Sequence, residues 1–167
     1  MADQGPGLAG FDAMSDDAAH QALLACCSSP GLARSLVVGR PYPSVEALLD
    51  AADAAVARLP ESEIDLALAG HFRIGERPRS ADSAREQAGV AAAADEVREA
   101  LAEGNRTYEE RFGHIYLVCA TGKSAEEVLA LLTARLRNDP ETERRVVRTE
   151  LAKINRIRLR GLLEDRR

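Results

Sequence analysis

The residues of this chain that invite chemistry are three histidines, His20, His71 and His114, and a group formed by Ser83, Glu86 and Gln87 at the start of a helical stretch. No His-x-x-x-His or Cys-x-x-Cys spacing gathers ligands, so no metal site is expected. His20 stands beside Gln21 in a helical pattern and reads as a surface residue. His114, just before an apolar run, reads as a partner for a backbone carbonyl. His71 is different. It follows Gly70 at the mouth of a loop, 70–82, interrupted by Gly75 and Pro78, and a loop that long in a compact domain is commonly functional. Histidine is the side chain best suited to give and take a proton near neutral pH. The loop leads into Ser83, Glu86 and Gln87, which put a hydroxyl, a carboxylate and an amide into one helical turn whose free N–H groups favour an anionic ligand. The same Ser83 and Glu86 also fit a plain capping box.

Thr121-Gly122-Lys123-Ser124 resembles the end of a phosphate-binding loop, since it follows an apolar run and precedes a helix. That loop needs a second Gly five residues before Gly122, and Leu117 stands there, so Ser124 reads as a helix cap instead. Cys26, Cys27 and Cys119 are odd in number and two are adjacent, which suits reduced, small apolar fillers rather than a disulfide framework. A net charge of -5 with dispersed acidic residues argues against nucleic acid as a partner. The basic stretch 144–167 keeps Leu and Ile at helical spacing and reads as a solvated helix face. Neither a signal peptide nor a membrane-length apolar run is visible, so a cytoplasmic location and no membrane partner are expected.

With 167 residues, 46% hydrophobic but only 4% aromatic, the chain suits one all-α domain with an Ala, Leu and Val core. Residues 1–10 are expected to be a flexible start, 11–163 the helical domain and 164–167 a tail. Helices are expected after Ser15, Ser29-Pro30, Ser44, Ser62, Ser83, Thr107, Ser124 and Asp139-Pro140, the Ser83 helix running to Gly104 and the Thr107 helix ending near Gly113. That gives seven or eight helices. The run Ile115-Tyr116-Leu117-Val118-Cys119 is the one strand-like stretch; too short and solitary to found a sheet, it reads as a buried extended segment or helical turn.

Several blocks together resemble a known family. Gly70-His71-Phe72-Arg73-Ile74-Gly75-Glu76, Ser83-Ala84-Arg85-Glu86-Gln87, Tyr108-Glu109-Glu110-Arg111-Phe112-Gly113 and Val118-Cys119-Ala120-Thr121-Gly122-Lys123-Ser124 look like the signature blocks of the OHCU (2-oxo-4-hydroxy-4-carboxy-5-ureidoimidazoline) decarboxylases, in order and spacing. Phe11-Asp12-Ala13-Met14 and Glu150-Leu151-Ala152-Lys153-Ile154 with Arg158-Leu159 extend the resemblance over nearly the whole chain. It implies an all-α enzyme that turns a ureidoimidazoline substrate into (S)-allantoin and CO2 in urate breakdown, without cofactor and as a homodimer. It further implies that His71, Glu86 and Arg158 are catalytic, that Ser83 and Gln87 line the pocket, and that main-chain groups of Ile115, Tyr116, Leu117, Val118 and Cys119 bound it. Where the family has Pro after the catalytic His, this chain has Phe72. The proline lock on the backbone is lost there, and an apolar ring is offered to a planar substrate in its place.

The implied chemistry agrees with these residue types. Arg158 can present a fork to a carboxylate, and His71 can move the hydroxyl proton or protonate the intermediate. Glu86 can orient His71 or accept a hydrogen bond from the ureido group, and Ser83 and Gln87 can read the remaining edges. The rival from another class is a non-catalytic helical interaction domain, for which capping boxes and apolar stripes would suffice.

Overall fold

The computed structural model describes residues 7–74, 81–91 and 93–164, with 81–83 and 91 by backbone alone. Among the described residues there are ten helices and no strand: α1 (Gly7–Ala13), α2 (Asp16–Cys27), α3 (Pro30–Val38), α4 (Val45–Arg58), α5 (Glu61–Ala69), α6 (Ala81–Glu86), α7 (Ala88–Ala91), α8 (Asp95–Phe112), α9 (Ala125–Arg135) and α10 (Pro140–Leu163). The all-α expectation holds. No helix among these residues is long and apolar enough to cross a membrane.

The predicted caps place most helix starts. Ser15, Ser29, Ser44 and Ser124 each accept the N–H three residues on, from Ala18, Leu32, Ala47 and Glu127. Asp139 does the same for Thr142 at 2.7 Å, with Pro140 at the first helical position of α10.

Four details differ from the sequence reading. The described part of the stretch expected to be frayed, from Gly7, is helical in α1, and Phe11 of α1 is fully buried, which anchors it. α5 starts at Glu61 with Pro60 at its cap position, so Ser62 lies inside it. The helix expected over 83–104 is three, α6, α7 and the start of α8, and Ser83 sits inside α6. The break is tertiary in origin: a Cβ on Gly89 would come within 2.3 Å of the Lys123 carbonyl oxygen, so α7 is seated where only glycine fits against that turn. Gly104 and Thr107 do not end and restart a helix but lie within α8. Thr107 returns its hydroxyl to Glu103 O at 3.1 Å, and a Cβ on Gly104 would meet Leu132 Cδ2 at 2.5 Å, so this glycine is a close-packing site and not a stop.

The chain falls into two compact units. Unit 1 is 1–70 with 152–167, and unit 2 is 71–151; α10 contributes its carboxy-terminal part to the first and its amino-terminal part to the second. Unit 1 buries Phe11, Leu23, Leu32, Leu48, Ile64 and Leu159. Its α5 is tied to the start of α3 by Glu63, whose Oε2 accepts from Ser29 Oγ at 2.8 Å and Gly31 N at 3.0 Å. Unit 2 has its own core of Val90, Leu101, Tyr108, Val128 and Leu132, joined by Tyr116 and Val118. All three cysteines are buried and unbridged, as their spacing suggested.

Candidate active site

His71 follows Gly70, the residue that caps α5, and both His71 and Phe72 are half-buried. The two residues that follow are fastened to α8. Arg73 meets the Glu109 carboxylate with Nε 2.9 Å from each oxygen, and Ile74 O accepts from the buried Asn105 Nδ2 at 3.0 Å. The mouth of the loop is therefore held on a helix. Ile74 itself enters the unit 2 core beside Val90, Tyr116 and Val118.

Glu86 ends α6 and is half-buried, while Gln87, in the break between α6 and α7, is 8% exposed. The Gln87 carbonyl closes the α7 turn by accepting Val90 N at 3.0 Å, and Val90 is 2% exposed in the same core. The loop from His71, the α7 turn that follows Gln87 and the 115–119 segment thus all send a residue into one apolar cluster within unit 2. The Ser83 side chain lies outside the described residues. Arg158 belongs to unit 1, where its Nη1 donates to Cys26 O at 3.1 Å.

The segment 115–120 is straight, with neither turn nor bend, and residues 116–120 are buried. Of the two alternatives left open by the sequence, the extended one is found. Its side chains alternate: Tyr116, Val118 and Ala120 join the unit 2 core, and Leu117 and Cys119, though buried, lie outside that cluster. Its carbonyls alternate too. Ile115 O lies 3.0 Å from His114 Nδ1, Leu117 O accepts from Arg135 Nη1 at 2.5 Å, and Cys119 O accepts from Lys123 Nζ at 2.9 Å. His114 thereby fills the carbonyl role read from the sequence. The opposite edge is bare: among the described residues, no hydrogen bond is made by the N–H or C=O of Tyr116 or of Val118. Buried main-chain groups are nearly always paired, by protein, water or ligand, and the described residues leave donors and acceptors open along this edge.

What holds the segment was not singled out by the sequence reading. Glu143, fully buried on α10, ion-pairs with Arg135 of α9 through Nε at 2.7 Å, accepts Tyr108 Oη at 2.6 Å, and takes Asn138 Nδ2 at 3.0 Å. The Arg135 guanidinium also lies 4.8 Å from the Tyr116 ring centroid, and Tyr116 Oη donates to Val128 O at 3.0 Å. Burial would pull the Arg135 pKa down, but the Glu143 carboxylate outweighs it and holds the pKa above its ordinary value. Burial pushes the Tyr108 and Tyr116 phenols well up, so both stay protonated donors. A signal was present. Arg135 continues the stripe of Val128 and Leu132, and Glu143 that of Val147 and Leu151, charges set in otherwise apolar helical lines.

A family model described as OHCU decarboxylase matches residues 12–160. The chain is 29% identical over 149 residues to the uric acid degradation bifunctional protein TTL of Arabidopsis thaliana, a match covering 84% of this chain and 46% of that protein. It is 31% identical over 141 residues to the 2-oxo-4-hydroxy-4-carboxy-5-ureidoimidazoline decarboxylase of Mus musculus, covering 80% of this chain and 79% of the mouse protein. The fold is similar to that of a crystal structure of OHCU decarboxylase in the presence of (S)-allantoin, with a TM-score of 0.77 at 24% identity over 90% of this chain and 99% of that one. The chain thus spans less than half of the Arabidopsis relative but most of the mouse one. A family match that runs from α1 into the last turn of α10, joined to a similar helical fold, leads to one assignment: the chain belongs to the OHCU decarboxylase family.

Proposed function

We propose that this chain catalyses the decarboxylation of 2-oxo-4-hydroxy-4-carboxy-5-ureidoimidazoline to (S)-allantoin and CO2 in urate breakdown. Family membership supports the reaction class. The observation that carries the site is the bare edge of the buried segment 115–119, anchored in the core that also takes Ile74 and Val90 from the His71 and Gln87 segments. On that edge the N–H and C=O of Val118 lie on one side of an extended chain, the pair of groups that a cyclic ureide matches with its own N–H and C=O.

The chemistry needs little beyond these residues. The bond from C4 to its carboxylate breaks and CO2 leaves. The electron pair left on C4 forms a C4–C5 double bond, the former C5–N double bond passes its pair to nitrogen, and that nitrogen takes up a proton. The C4 hydroxyl then gives up its proton to become a carbonyl while C5 is protonated, so one proton is consumed overall. The substrate's own carbon–nitrogen double bond is the electron sink, and for that reason no metal, pyridoxal or thiamine group is required. In this reading His71 moves the hydroxyl proton or protonates C5. Arg158 holds the carboxylate, Glu86 orients His71 or receives the ureido group, and Ser83 and Gln87 read the remaining edges. Phe72 supplies an apolar face to the planar ring. Protonation on one face gives a single enantiomer.

The test is an absorbance and circular-dichroism time course on freshly generated substrate. His71→Ala and His71→Asn are expected to keep their helix content and lose about a hundred-fold to ten-thousand-fold in rate. A wild type that works at the spontaneous rate with racemic product overturns the reading and favours the interaction domain. The same reading carries a homodimer, measurable by sedimentation, and a cytoplasmic location.

A further inference from the structure

We infer that Arg135 and Lys123 are positioning residues that set the donor direction of the bare edge of 115–120. The inference deepens the reading above and rests on it for the identity of the ligand. In a planar trans peptide the carbonyl of one residue and the N–H of the next point in opposite directions. Fixing Leu117 O on Arg135 therefore fixes the Val118 N–H on the far side, and fixing Cys119 O on Lys123 fixes the Ala120 N–H there too. Two cations on alternate carbonyls hold a period-two chain by every second peptide, and nothing else on the chain bonds these two carbonyls among the described residues.

The two holds differ in strength. Arg135 is 6% exposed and locked by Glu143, so the Leu117–Val118 peptide is rigidly aimed. Lys123 is half-buried in the turn after the segment, and its ammonium has no carboxylate partner among the described residues. Both place positive charge at the carbonyl end of a peptide dipole, which makes the opposite N–H a better donor to a ligand oxygen that gains negative charge. A ring carbonyl oxygen of a cyclic ureide is such an atom when CO2 leaves.

Lys123 gives the clean test because its removal leaves the unit 2 core intact, whereas loss of Arg135 threatens the fold. The 167-residue chain, labelled with nitrogen-15, is titrated with (S)-allantoin, and turnover is measured on the same variants. In the wild type the Val118 and Ala120 amide resonances are expected to move on binding. Lys123→Met should keep its melting temperature, lose the Ala120 response and lose about ten-fold in kcat/KM, a modest loss for one donor of the oxyanion-stabilising kind. Lys123→Arg should restore most of it, and Arg135→Lys should shift the Val118 resonance before any ligand is added. Amide resonances that stay still at saturating allantoin, or a Lys123→Met variant that binds and turns over like the wild type, would overturn the inference. Amides that respond in a wild type without turnover would instead leave the positioning intact and sink the decarboxylase reading.

Discussion

α10 carries two charge clusters built on different principles. Near its start, in unit 2, Glu143 is wholly buried against the almost buried Arg135, and every neighbour named above gives it a hydrogen bond. Near its end, in unit 1, Arg156 and Arg160 reach Glu46, Asp50 and Asp53 of α4 at 2.6 to 3.4 Å, with the acidic partners 42 to 73% exposed. Water screens the second set and hardly reaches the first. The exposed cluster yokes two helices; the buried one is committed to the main chain of 115–119. The lesson is that the number of ion pairs says little about a helix, whereas their burial tells which of them shapes the site.

The contrast can be broken most directly at Glu143. Glu143→Ala leaves Arg135 charged and buried without its carboxylate, and a loss of about 3–5 kcal/mol is expected in chemical denaturation. A loss no larger than that of a surface pair would mean that burial is not what separates the clusters. Alkaline titration probes the same buried groups. Tyr42, Tyr108 and Tyr116 are the three tyrosines of the chain, and burial first of all raises the pKa of each in the folded state. A raised folded pKa contributes stability that is complete below the unfolded value of about 10 and is lost as pH rises from there towards the folded values. Phenolate absorbance should therefore stay low through that range and rise in one step together with loss of helical circular dichroism. Gradual ionisation with the helices intact would contradict the packing described.

Asn155 sharpens the comparison from within unit 1. It is 1% exposed on α10, and neither its Nδ2 nor its Oδ1 finds a partner among the described residues, the reverse of Glu143. Asn155→Leu, close in volume, should be neutral or stabilise by up to about 1 kcal/mol, since the amide's desolvation is uncompensated; a clear fall in melting temperature would show that the amide has a use. The smallest effect belongs to the exposed cluster. Arg156→Ala should cost less than about 1 kcal/mol and less still in high salt, and a salt-independent loss would mean that the arginine acts through packing of its stem.

Much of this protein is written locally. Ser15, Ser29, Ser44, Ser124 and the Asp139-Pro140 pair fix their helix starts because a cap needs only a side-chain oxygen and an N–H three residues on. The solitary apolar run 115–119 reads as buried, though not as extended rather than helical, and the signature blocks carry the family only as a set spread along the chain. Other features needed neighbours distant in sequence. Ala93 and Ala94 are not helix breakers, yet they lie outside any helix, next to α7, whose Gly89 is seated against the Lys123 carbonyl. Gly104 and the Thr107–Glu110 spacing look like a stop and a start, and α8 runs through both because glycine is what lets it approach Leu132. The partnership of Arg135, Glu143, Tyr108 and Leu117 O joins positions up to 35 residues apart. A charge in an apolar stripe tells from sequence that a partner must exist, but only the packing of α8, α9 and α10 chose which one, and with it the edge of the 115–119 main chain that is left open.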